Sequence, residues 1–220
     1  MVKTKRKMFV TSAIITLVVF ITGVLLGVSL DNFKENEVLT ELKYNELDTQ
    51  SYFLEEKFVN DAGQNVCDIL NKRIDSLKYR LVKIGSELPS SEESSMSNKK
   101  DLDYLKRKYT LSEVQFMMLL KEFNKNCGRK YLPILFFYTK DDGVSRDQGL
   151  VLTWLNEMFK DSLVILSFDK DFTDEPMINT LKLHYNINSS STVVIGEKSY
   201  HKFLSKDELK KIVEQELSYS

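Results

Sequence analysis

Past Gly128 the hydrophobic period of the chain changes, and that change divides it into two kinds of structure. Upstream, Cys67, Leu70, Ile74, Leu77, Leu81, Ile84 and Leu88 recur three and four residues apart, a heptad seam along one helix face. Pro89 is expected to end that helix, and residues 90–100 form a polar loop in which Met96 is the one apolar residue. A second seam follows at Leu102, Leu105, Tyr109, Ser112, Phe116, Leu119 and Phe123, and Gly128 supplies a stop. Two striped helices joined by one loop read as an antiparallel coiled-coil hairpin over 61–130. The same stripes could instead pair between two chains, making a homodimer through the helices.

Downstream, in 131–220, short elements alternate. Residues 133–139 (PILFFYT) and 163–169 (LVILSFD) are apolar throughout or nearly so, as strands buried on both faces must be. Between them Val151, Trp154, Leu155 and Met158 give an amphipathic helix beginning near Arg146. Asp174 and Pro176 mark a second helix start, with Met177, Ile178 and Leu181 facing inward. Residues 192–196 and 199–204 are expected to be two strands around a turn at Gly196-Glu197. Ser205 and Glu208 then form a capping box for a final helix striped by Leu209, Ile212, Val213 and Leu217. The expected order is β-α-β-α-β-β-α. A right-handed crossover makes the first two strands parallel, and the last two form a hairpin.

At the other end, residues 8–30 are a run of 23 without a charge, preceded by Lys3, Lys5, Arg6 and Lys7 and followed by Asp31, Glu35 and Glu37. Such a run is long enough as a helix to cross a hydrocarbon core of about 30 Å. The sequence therefore predicts a transmembrane helix over 8–30. Charge asymmetry places a basic tail, 1–7, in the cytoplasm and everything after Leu30 outside it. A cleaved signal peptide, with small residues near Gly27 and Ser29, is the competing reading. Gly23 and Gly27 have a spacing that lets two such helices pack together. Residues 31–60, with Val38, Leu39, Leu42, Leu47, Phe53, Leu54 and Phe58, read as a polar helical stalk with a break at Asp48-Thr49.

The cysteines follow from these two readings. Cys67 and Cys127 are the two in the chain, and antiparallel pairing of the helices brings them to the same end. In an oxidising compartment a disulfide between them is expected; two reduced thiols and a redox-active pair are the alternatives. Two cysteines so far apart exclude a Cys-x-x-Cys pair and a four-thiolate zinc site. A net charge of −1 argues against nucleic acid as a partner. An apolar fraction of 42% with 29% charged residues is that of a folded chain.

The order of elements in 131–220 resembles the thioredoxin superfamily. An aromatic run, Phe136-Phe137-Tyr138, ends the first strand, and an amphipathic helix follows the turn after it. Phe168-Asp169-Lys170-Asp171 is similar to the acidic turn after the family's second strand. The segment Tyr185-Asn186-Ile187 before 191–195 (STVVI) looks like the approach to its cis-proline strand. The resemblance implies a three-layer α/β/α domain with a substrate groove between the turn and the segment before Ser191. It also implies that the family's two redox cysteines fall on Asp142 and Ser145, and its cis-proline on Ser191. Asp142 and Ser145 cannot exchange thiols, Ser145 has no adjacent base in the sequence to activate it, and a peptide before a non-proline residue is expected to be trans. The resemblance thus implies a vacated redox site whose groove is lined by Asp142, Gly143, Val144, Ser145, Ser190, Ser191 and Thr192.

Other constellations are weaker. Asp169, Asp171 and Asp174, with Asp141 and Asp142, depart from the spacing of a calcium loop, so no metal ligand and no cofactor is assigned. His184 and His201 have no nucleophile or carboxylate at a telling distance in sequence. Asn188-Ser189-Ser190 matches a glycan acceptor. The expected fold is thus an α/β thioredoxin-like domain preceded by a transmembrane helix and a helical hairpin. The expected function is a membrane-tethered, non-redox module that binds or scaffolds another envelope protein. A thiol–disulfide oxidoreductase using Cys67 and Cys127, and a purely structural coiled-coil tether, are the alternatives.

Overall fold

In a computed structural model of the full chain the described residues are 15–24, 51, 54, 57, 58, 66–93, 99–128, 131–160 and 162–218. They belong to two compact units, Met1–Ala62 and Gly63–Ser220.

In the first unit residues 15–24 form helix α1, with the Thr22 hydroxyl donating back to the Val18 and Val19 carbonyls at 3.0 and 2.9 Å. Ser51, Leu54, Lys57 and Phe58 are also helical. The described turns of α1 reach about 15 Å, roughly half the hydrocarbon thickness. Among the described residues no helix is long and apolar enough to cross a membrane. That corrects the expected transmembrane helix over 8–30, together with the single-pass placement and extracytoplasmic localisation that rested on it. The rest of 8–30, Gly27 included, and most of the 31–60 stalk lie outside the described residues.

The second unit opens with two long helices, α2 (Val66–Glu93) and α3 (Lys99–Cys127). Leu70, Ile74, Leu77, Leu81 and Ile84 of α2 and Ser112, Phe116, Leu119 and Phe123 of α3 are buried. A disulfide joins Cys67 to Cys127, with the Cα atoms 5.6 Å apart, so the two helices run antiparallel. Further along, a Cβ on Gly85 would lie 3.3 Å from the Tyr109 ring, so a small residue suits the close approach of the helices there. Helix α2 does not stop at Pro89 but continues to Glu93. The ring removes one donated hydrogen bond and leaves the following turn free to form. Gly128, at φ 82°, ends α3 in the left-handed region that glycine tolerates.

Helix α3 is buried on two sides. Thr110, Glu113, Val114, Met117 and Leu120 form a second buried row, one step around the helix from the seam. This row meets the sheet: the Ser167 amide donates to Glu113 Oε1 at 2.8 Å. Arg107 pairs with Glu175 at 3.0 Å, and Asn124 exchanges two hydrogen bonds with the Tyr131 backbone at 2.6 and 3.1 Å.

The sheet consists of β1 (Leu132–Tyr138), β2 (Leu163–Asp169), β3 (Thr192–Ile195) and β4 (Lys198–Tyr200), in the order β2-β1-β3-β4. Strands β1 and β2 are parallel, with Leu132 opposite Leu163 and Tyr138 opposite Asp169; β3 is antiparallel to both β1 and β4. The remaining helices are α4 (Gly143–Met158), α5 (Pro176–His184) and α6 (Lys206–Ser218). Alternate residues of β1 divide between two faces. Leu132, Ile134 and Phe136 pack with Val151, Leu152 and Leu155 of α4 and Leu209 and Val213 of α6. Phe137 turns the other way, stacked 5.3 Å from Phe168 and 6.4 Å from Tyr185 at the end of α5.

Strand β4 is shorter than the expected 199–204. Its continuation is drawn off by α4: Gln148 Oε1 accepts from the Leu204 amide at 2.7 Å, and Gln148 Nε2 donates to the Leu204 carbonyl at 3.3 Å. One side-chain amide thus satisfies both backbone groups that a ladder would otherwise have paired. Beyond it the capping box forms, the Ser205 amide donating to Glu208 Oε2 at 2.9 Å and the Glu208 amide to Ser205 Oγ at 3.4 Å.

Candidate functional site

The turn from β1 into α4 is built from its side chains inward. The Asp142 amide reaches back to the Thr139 carbonyl at 3.4 Å, and Asp141 sits at φ 63°, a conformation aspartate adopts more readily than most residues. Asp142 is the N-cap of α4, its Oδ2 accepting from the Ser145 amide at 2.8 Å. The helix therefore starts at Gly143, three residues earlier than its apolar stripe alone suggests. The bond from Ser145 holds the Asp142 carboxyl below the usual range for aspartate, with Ser190 and Lys170 acting in the same direction.

Ser145 ties this turn to the segment before β3. Its hydroxyl accepts from the Thr139 amide at 3.1 Å and donates to the Ser190 carbonyl at 3.1 Å. Of the seven expected groove residues, Gly143, Val144 and Ser190 are exposed and Asp142 is half-buried, while Ser145, Ser191 and Thr192 are buried beneath them. The structure thus brings 142–145 and 190–192 together. Ser191 Oγ is buried without a hydrogen-bond partner, and no cis peptide occurs among the described residues.

Two more side chains belong to this corner. Ser189 Oγ donates to the Ser191 carbonyl at 2.8 Å and lies 2.7 Å from Thr192 Oγ1, which in turn lies 3.3 Å from His201 Nδ1. His201 has no sequence signal, since the pairing of β3 with β4 is what carries it across. Gln148 does have one: it is a polar residue in register with the buried Ser145, Leu152 and Leu155, at helical spacing.

The chemistry available here is hydrogen bonding. The Ser145 hydroxyl is engaged by the Thr139 amide and the Ser190 carbonyl. The Thr192 hydroxyl, beside the His201 imidazole, is fully buried. Among the described residues no group of three or more His, Cys, Asp or Glu side chains could hold a metal ion. Asp169 Oδ1 instead accepts from the Asp171 amide at 3.0 Å, and Asp171 pairs with Lys170 at 3.0 Å. Cys67 and Cys127 belong to the paired ends of α2 and α3, not to the turn after β1.

No family model and no curated protein matches the chain. A solved structure described as that of a malarial protein matches 39% of this chain and 96% of its own at 16% identity, with a TM-score of 0.34. A likeness at that level carries neither a fold nor a function across.

Proposed function

We propose that residues 131–220 are a thioredoxin-like domain without thiol chemistry, and that it binds a protein partner where the N-terminus of α4 meets the segment before β3. Supporting the family reading are the strand order β2-β1-β3-β4, the parallel β1–β2 pair and the antiparallel β3–β4 hairpin. The observation that carries the binding reading is the floor of this corner. The buried hydroxyl of Ser191 has no partner, and its exposed neighbour Ser190 is tied to Ser145 of the turn that also exposes Gly143 and Val144. A buried polar group left unpaired costs free energy, and a turn of the Ser191 side chain toward an extended chain laid across the corner would give it a partner. Asp142 and Ser145 are spent on capping and on the Ser190 tie, which is a structural use rather than a reactive one.

The test is site-specific photocrosslinking of the full chain in its own cells, with the probe at position 144 and a control probe at exposed Leu150 on the outer side of α4. A discrete protein adduct at 144, absent at 150 and lost in Ser191→Tyr, is the expected result. Equal adducts at both positions would refute the groove. Insulin-reduction activity that disappears in Cys67→Ala would replace this reading with that of an oxidoreductase.

A further inference from the structure

We propose that Glu113 is a proton-controlled clasp that holds α3 against the outer edge of β2 and releases it when the carboxyl ionises. The edge is identified by the ladder. The Leu132 amide donates to the Ser162 carbonyl at one end and the Lys170 amide to the Tyr138 carbonyl at the other. Even-numbered residues of β2 therefore turn their backbone bonds toward β1, and odd-numbered ones point away from the sheet. Ser167 is odd, and β2 is the outermost strand. An unpaired outer edge is a template for adding another strand, so whatever covers it governs whether the sheet can be extended.

Glu113 is what meets it. It is 2% exposed, its Oε1 takes the Ser167 amide at 2.8 Å, and its Oε2 is buried with no hydrogen-bond partner. The groups acting on it are the Ser167 amide from β2 and the Tyr109 hydroxyl, one turn back along α3. Tyr138 of β1 acts on Tyr109 in turn. No cation is among them, and Arg107 on the same helix is bonded to Glu175 of the α5 cap. An anion here would have the Ser167 amide and the Tyr109 hydroxyl but no cation for company in a dry interface; the neutral acid carries no such penalty.

Burial accordingly pushes the Glu113 carboxyl up to about 8, against the opposing pull of the Ser167 amide and Tyr109. Because the folded value is raised above the ordinary 4.5, the contact is at full strength below that pH. It weakens as pH rises and is lost through about 8, the proton passing to solvent.

Hydrogen exchange of the full oxidised chain tests this at pH 6 and pH 9, with rates corrected for intrinsic exchange. Segments 109–117 and 163–169 are read against 192–195 in the interior strand of the same molecule. In the wild type the first two segments should lose protection relative to the third by at least about tenfold. In Glu113→Gln, which keeps the acceptor for Ser167 and cannot ionise, the ratio should be unchanged. A flat ratio in the wild type overturns the clasp whether or not the variant folds. An equal change in both proteins overturns it as well.

Discussion

Removing the disulfide with Cys67→Ala and Cys127→Ala together tests how the hairpin is held. The bond closes a loop across a sequence separation of 60 residues. The chain-entropy relation for a loop of that size gives about 14 cal/mol/K, or about 4 kcal/mol at 25 °C, taken from the unfolded chain. Both cysteines are half-buried, so trimming them to alanine adds little lost packing, and the loop term should dominate. With a denaturant slope of about 2 kcal/mol per molar, the urea midpoint should fall by about 2 M. The wild type in reductant should match the double variant. Far-UV circular dichroism reads the transition, and an intact-mass thiol count on the unreduced protein is the control. A midpoint shift below about 0.5 M, with the bond shown to be present, would refute loop closure as the source of stability. Two free thiols in the untreated protein would refute the bond itself.

Four further outcomes are expected. Gln148→Ala strands the buried amide and carbonyl of Leu204 and should lower stability by about 2–4 kcal/mol in the same urea titration, whereas a loss under about 0.5 kcal/mol would mean water replaces the side chain. Ser145→Ala leaves the Thr139 amide without its acceptor and frees Ser190, so it should destabilise by about 1–3 kcal/mol. Asp142→Ala, which removes a half-buried cap only, should cost less than Ser145→Ala, and the reverse order would show that the turn and not the tie holds this corner. The Glu208 carboxyl is held down to about 2 by Lys202, then by the Ser205 amide and hydroxyl. Its capping contribution should be present above the ordinary 4.5 and fade as pH falls toward 2; a carboxyl NMR titration centred near 4.5 would contradict the bonds to Ser205 and Lys202.

Much of the fold is legible in local pattern. Strand β2 begins and ends where its apolar run does, and the Ser205–Glu208 box stands at the start of α6. The two seams of α2 and α3 are visible as three-and-four spacing. The expected membrane helix is the exception: among the described residues no helix is long and apolar enough to cross a membrane. The candidate groove needed the fold resemblance to be named, because serines and a glycine have no signature of their own. His201 joined it only through the β3–β4 hairpin.

The sequence by itself determined the order of helices and strands in the second unit, where α5 and α6 start, and that the turn after β1 lacks thiols, since each is written in adjacent residues. Tertiary structure alone decided that α3 is buried on two sides, that Gln148 ends β4 early, and that Glu113 covers the edge of β2. Those outcomes depend on which groups meet across 54 and 56 residues of chain. A carboxyl or an amide in a helix reads as a solvated residue until the partner that desolvates it is in place.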